Sequence, residues 1–170
     1  MTADAISSTS QADILTAIVE HLRGWFGLKA ADCYETLYAD APRLPRAGDL
    51  TITVSMADGV FDVDAQHGGG RNQVFEAIDI EVSAFTRIKV DKQNPDTGML
   101  LDARRGLLQR KREILSAMID AHITVDSGSV LIESIVARSS TRPGFDGTTG
   151  MITLTFALAY KWQLIDREPG

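Results

Sequence analysis

Two stretches of near-strict alternation between apolar and polar residues, Val74 to Val90 and Ile152 to Leu164, limit what this chain can become. In the first, Val74, Ile78, Ile80, Val82, Ala84, Ile88 and Val90 fall on even positions, and Asp79, Glu81, Arg87 and Lys89 on odd ones. In the second, Ile152, Leu154, Phe156, Leu158, Tyr160, Trp162 and Leu164 alternate with Thr153, Thr155, Lys161 and Gln163. Successive side chains of a strand point to opposite faces, so each run reads as a strand with one dry face and one wet one. Both far exceed the usual strand of roughly 5–6 residues. Strands that long in a chain of 170 residues predict an antiparallel sheet with ribbon-like extensions, a shape suited to assembly rather than chemistry.

Helical periodicity occurs twice. Ser10, with Asp13 three positions on, has the chemistry of a helix start, the hydroxyl capping and the carboxylate favouring the positive end of the dipole. Beyond it Ile14, Leu15, Ile18, Val19, Leu22, Trp25 and Phe26 make one stripe and Asp13, Thr16, Glu20 and Arg23 lie opposite, which predicts a helix packed on a sheet. Met99 to about Ala121 reads as the second helix, with two adjacent apolar stripes. One is Leu100, Leu107, Ile114 and Met118; the other is Leu101, Leu108, Leu115 and Ile119. Arg104 and Lys111 fall between the stripes, where a cation must snorkel along its aliphatic stem or meet a carboxylate. Arg105, Arg110 and Arg112 give the same helix a basic outer patch, so a second covered side, supplied by a neighbouring copy of the chain, is a natural reading.

Between the helices, Lys29 to Gly48 is broken by Pro42, Pro45 and Gly48, with Tyr34 to Tyr38 as a short strand. Leu50 to Met56 alternates again, and Asp58-Gly59 signals a two-residue turn into Val60 to Asp64. Gly68, Gly69 and Gly70 lead into a strand. Phosphate-cradling glycine loops end instead at a helix N-terminus, so a hairpin tip is the better reading. His67 beside Asp62 and Asp64 has no second histidine near and matches no metal-ligand spacing. After the second helix, Val130 to Ser139 reads as a strand, Ser140 to Gly150 as a flexible connection, and Ile152 to Leu164 as the closing strand.

The fold class that follows is α+β: a mixed, mainly antiparallel sheet with long hairpin strands, packed by two amphipathic helices. The expected organisation is a disordered N-terminus over 1–10, a single domain over 11–165 and a polar tail over 166–170. With 17 basic against 23 acidic residues there is no basic excess to neutralise phosphates, so nucleic-acid wrapping is not expected. Cys33 is the single cysteine, which rules out an intramolecular disulfide and makes it a small core filler. The polar, acidic first ten residues lack signal-peptide chemistry, and the apolar stretches fall short of the ~20 residues that span a bilayer. Ser127-Gly128-Ser129 offers hydroxyls without a nucleophile elbow, and the carboxylates alternate along strands instead of converging in pairs. The chain is therefore read as a non-enzyme that needs no cofactor and no metal.

The order of these elements resembles the tail terminator, or tail completion, proteins of long-tailed phages. The resemblance is carried by Asp13 to Phe26, by Arg43-Leu44-Pro45-Arg46 leading to Thr51 to Met56, by Ala77 to Ala84, by Leu100 to Ile119 and by Ile152 to Leu164. It covers about Gln11 to Ile165 and lies in order and pattern, without a diagnostic motif. It implies a homo-hexameric ring in the virion that sits on the last layer of the tail tube, stops its polymerisation and docks a neck or head-completion protein. DNA would only pass through the channel, and no membrane is involved. Under that reading Arg104, Arg105, Arg110, Lys111, Arg112 and Gly68 to Gly70 are candidate subunit contacts, since a cyclic assembly joins two different patches. Asp62, Asp64, Asp79 and Glu81 are candidates to line the channel, where negative charge repels phosphates. The competing readings are a tail-tube or head–tail connector subunit, or a small α+β ligand-binding or enzyme domain.

Overall fold

The computed structural model describes residues 11–36, 50–61, 73–87, 106–119, 121, 123–125, 130–131, 134–141, 143–145 and 149–163. The chain begins with helix α1 (Gln11–Phe26), followed by strands β1 (Cys33–Glu35), β2 (Leu50–Phe61) and β3 (Gln73–Arg87). Helix α2 (Leu107–Met118) comes next, then β4 (Thr124–Val125), β5 (Val130–Leu131), β6 (Ser134–Ser140), β7 (Gly144–Phe145) and β8 (Thr149–Gln163). The main sheet runs β1-β2-β3-β8-β6, with β7 pairing alongside on β8, while β4 and β5 form a separate two-stranded ribbon. Among the described residues, only β1 pairs in parallel, with β2; every other pairing is antiparallel. This is the α+β class expected from the alternation.

The two long runs are β3 and β8, and they are each other's partners from Gln73 opposite Gln163 to Arg87 opposite Thr149. Register sets the faces. Ile78, Ile80, Val82 and Ala84 stand opposite Leu158, Phe156, Leu154 and Ile152, so one face of the pair is continuous hydrocarbon. Ile52 and Val54 of β2 extend it, and all of these are essentially fully buried. Ile14, Ile18, Val19 and Leu22 of α1 and Leu107, Ile114, Ala117 and Met118 of α2 close over it as one cluster. Each such aliphatic side chain contributes about 1.5–3 kcal/mol when taken out of water. The helices also meet directly, where Nε2–H of His21 donates to the Ala117 carbonyl at 2.8 Å.

Helix α1 ends on Gly27, whose φ of 64° lies in the left-handed region. Leu28 N–H donates back to the Arg23 carbonyl at 3.0 Å, the six-to-one bond that closes a helix C-terminus. Arg23 then reaches forward, its Nε donating to the Cys33 carbonyl at 2.8 Å, and fixes the turn into β1.

Several expectations are corrected. Asp58-Gly59 makes no hairpin: β2 runs through it, and Ala57 and Asp58 together oppose Asp79 as a β-bulge. Glycine chemistry serves a bulge as well as a turn, and the continued pairing with β3 decides between them. The connection between the antiparallel β2 and β3, 62–72, lies outside the described residues. Helix α2 starts at Leu107 rather than near Met99, because Gly106 takes an extended conformation (φ −62°, ψ 151°) and caps it. It ends at Met118, with Ile119 already extended. Val130 to Ser139 is split into β5 and β6, the supposedly flexible Ser140 to Gly150 contains β7, and the short strand near Tyr34 is shifted to Cys33–Glu35. Trp25, assigned to the buried stripe of α1, is 55% exposed beside His21 at the helix end, with ring centroids 6.3 Å apart.

Candidate assembly surfaces

The second face of the sheet carries the odd-numbered residues of β3 and β8, and the helices do not lie on it. Cross-strand register arranges it in rows. Thr53, Ser83 and Thr153 share one row; Ser55, Glu81, Thr155 and Ser139 share the next; Asp79, Ala157 and Val136 share the one after. The face expected to be wet throughout is wet only in part. Thr51, Thr53, Ser55, Ser83, Phe85 and Thr153 are all buried, and Ser83 and Thr153 share a hydrogen bond of 2.7 Å between hydroxyls. The Oγ1 atoms of Thr51 and Thr53 are buried without a partner. That end of the face is thus already covered within the chain and is closed to a neighbour.

The other end is open. Val136 is 57% exposed beside the small Ala157. Arg138 is the extra residue of a second bulge, between Ala137 and Ser139 of β6. From there its Nε reaches back to Asp79 Oδ1 at 3.1 Å across β8. Ala157 lies between them in register, and its single methyl leaves room for the guanidinium to cross. Glu81 is half-buried between Ser55 and Thr155 and has no ion-pair partner among the described residues. Of the acidic residues expected to act together, Asp79 and Glu81 therefore do share a face, with Asp79 balanced by Arg138; Asp62 and Asp64 lie outside the described residues.

The basic set of α2 divides in the same manner. Arg110 is half-buried and gives Nη1 to Glu113 Oε2 at 2.7 Å, while Gln109 holds the other carboxylate oxygen at 3.0 Å. Lys111, placed between the stripes, donates to Ser140 Oγ of β6 at 2.8 Å, so a hydroxyl rather than a carboxylate meets it. Arg112 is exposed with no such partner among the described residues. Leu107, Ile114 and Met118 of the first apolar stripe are buried, with Leu100 and Leu101 outside the described residues, but Leu108 and Ile119 of the second are 45% and 43% exposed, with Leu115 half-buried between them. Arg104, Arg105, Gly68, Gly69 and Gly70 lie outside the described residues. Sequence reasoning missed Val136 and Arg138, because a bulge that redirects a side chain leaves no periodic trace.

Cys33 is fully buried and its Sγ–H points at the Val19 carbonyl, 3.7 Å away. Burial pushes the thiol up to about 11, against a smaller opposing pull from Arg23. A protonated, enclosed thiol is a poor nucleophile. Among the described residues no group of three or more His, Cys, Asp or Glu is placed to hold a metal ion, and no helix is long and apolar enough to cross a membrane.

No family model matches the chain, and no curated protein matches it. Among the solved structures that match the chain, two superpose over nearly its whole length as follows. One, which carries only a serial designation, is 13% identical, covers 95% of this chain and 99% of its own, and has a TM-score of 0.48. The other comes from the virion of a native gene transfer agent particle; it is 14% identical, covers 94% of this chain and 99% of its own, and has a TM-score of 0.49. At that level of superposition neither likeness assigns a function to this chain.

Proposed function

We propose that this chain is a structural subunit of a phage-like virion and, more finely, that it forms a ring that caps the tail tube, ends its polymerisation and presents the tail side of the neck junction. The observation that carries this reading is the layout of the sheet: both helices cover one face, and the far face keeps an open, mixed-charge end beside it. A subunit of a closed ring needs two different patches facing different ways, and this architecture supplies them. The order of elements, with a helix, a β2–β3 hairpin, a second helix and a long closing strand, supports the terminator reading over a generic α+β domain. A virion is also the setting of the gene transfer agent chain described above, but the reading rests on this chain's own layout.

Electron microscopy of the purified full chain tests it. The proposal expects closed rings of uniform diameter, and expects a tail-tube protein to stop elongating when the rings are added. Open filaments would favour a tube subunit. A monodisperse single chain that leaves tube growth unchanged would favour the ligand-binding reading and overturn the ring.

A further inference from the structure

Resting on that reading, we infer that the ring contact joins the Leu108–Arg112–Ile119 flank of α2 in one copy to the Glu81–Val136 patch on the far sheet face of the next. Along α2, residues advance by about 100° each, so Leu108, Arg112 and Leu115 line up roughly a third of a turn from the buried Leu107, Ile114 and Met118, and Ile119 follows directly on the end of the helix. They lie round from the core on the same side as Lys111, which reaches β6, and away from Ala117, which meets α1. Two large aliphatic side chains left more than two-fifths exposed on one flank form a line that the chain's own sheet does not use. Their counterpart is Val136, 57% exposed on a different face of the same sheet beside the Arg138–Asp79 pair.

Charge selects the occupant. On the flank, Arg110 and Lys111 are engaged within the chain, which leaves Arg112 as the free cation among the described residues. On the patch, Asp79 is balanced by Arg138, which leaves Glu81 as the anion without a counter-charge among the described residues. A second copy therefore offers each surface what it lacks: apolar against apolar, and Arg112 against Glu81. The symmetric alternative, flank against flank across a two-fold, would bring Arg112 against itself in the middle of the Leu108–Ile119 line, and like charges there repel. A head-to-tail contact follows, which generates rings when the rotation closes. Glu81 is thereby assigned to the neighbour and not to a channel wall.

The test uses the full chain in four forms, wild type, Arg112→Glu, Glu81→Arg and the double exchange, with Leu108→Asp as an independent variant on an exposed position. Molar mass is read by light scattering, and circular dichroism confirms that each form is folded. Wild type is expected to assemble, each single variant and Leu108→Asp to lose at least tenfold in assembled fraction at equal concentration, and the double exchange to recover it. Should wild type assemble while Arg112→Glu and Leu108→Asp keep its mass, the contact lies elsewhere and the ring survives as a reading. A double exchange that stays as dissociated as the singles overturns the Arg112–Glu81 pairing. A wild type that stays a single chain at high concentration overturns both contact and ring.

Discussion

On the second sheet face Ser83 and Thr153 pair their hydroxyls, but those of Thr51 and Thr53 are enclosed without partners. A buried Thr hydroxyl that finds no hydrogen bond leaves its desolvation uncompensated, at a cost of about 1–3 kcal/mol. Thr53 is 1% exposed and its Oγ1 has no partner, so Thr53→Val, which keeps the shape and removes the orphan, is expected to raise stability by about 1 kcal/mol. Urea denaturation checks this, and a lower midpoint would show that the hydroxyl is satisfied in solution. Cys33 makes a second prediction through its raised titration. The folded chain keeps the thiol proton up to about 11, whereas the unfolded chain loses it near 9.0. Its contribution is complete below pH 9 and is lost as pH rises toward 11, because over that window the unfolded state binds fewer protons. Denaturation midpoints at pH 8 and pH 10.5 should therefore fall more steeply in wild type than in Cys33→Ala; equal slopes would contradict the burial argument. The lone cysteine was legible as a core residue from its isolation, but its enclosure by Val19 and Arg23 was not, since that depends on how α1 turns back into β1.

At the scale of elements, periodicity transmitted the strands and lost their irregularities. The even positions of β3 and β8 were legible as a dry face because alternation is the direct imprint of a pleat. The bulges at Ala57-Asp58 and Arg138 were not, because an inserted residue shifts register without altering composition, and Asp-Gly suits a turn and a bulge alike. In α2, apolar spacing from Leu100 suggested an early start, but Gly106 in an extended conformation sets the boundary that spacing cannot see. Two glycines of α1 test the backbone argument with opposite signs. A Cβ added at either Gly24 or Gly27 meets nothing within 4 Å, so packing plays no part. Gly24 lies inside the helix, and Gly24→Ala is expected to stabilise by about 0.5–1 kcal/mol. Gly27 holds φ at 64°, and Gly27→Ala is expected to cost about 1–2 kcal/mol. Thermal melts of the two variants should move in opposite directions from wild type. A common direction would mean that the turn at Gly27 is not the one described.

For the whole molecule, the layering follows from the sequence, whereas the open end of the second face does not. Polar alternation predicted solvent along all of it, yet among the described residues the end at Thr51, Thr53 and Thr153 is closed by the chain itself, while further along Glu81 and Ala157 are half-buried and Val136 is exposed. Long-range coverage of that kind comes from how distant segments return to the sheet, which no local pattern encodes. The candidate basic patch was likewise thinned by folding, since Arg110 and Lys111 found partners one turn or one strand away. What remains is a pair of unlike surfaces whose simplest common explanation is another copy of the chain. The molar mass of the purified full chain in solution tests that most directly. The ring reading predicts one species at about six times the 18.5 kDa of the chain, unchanged on dilution across its stable range. A single species at 18.5 kDa, persisting at high concentration, would contradict it.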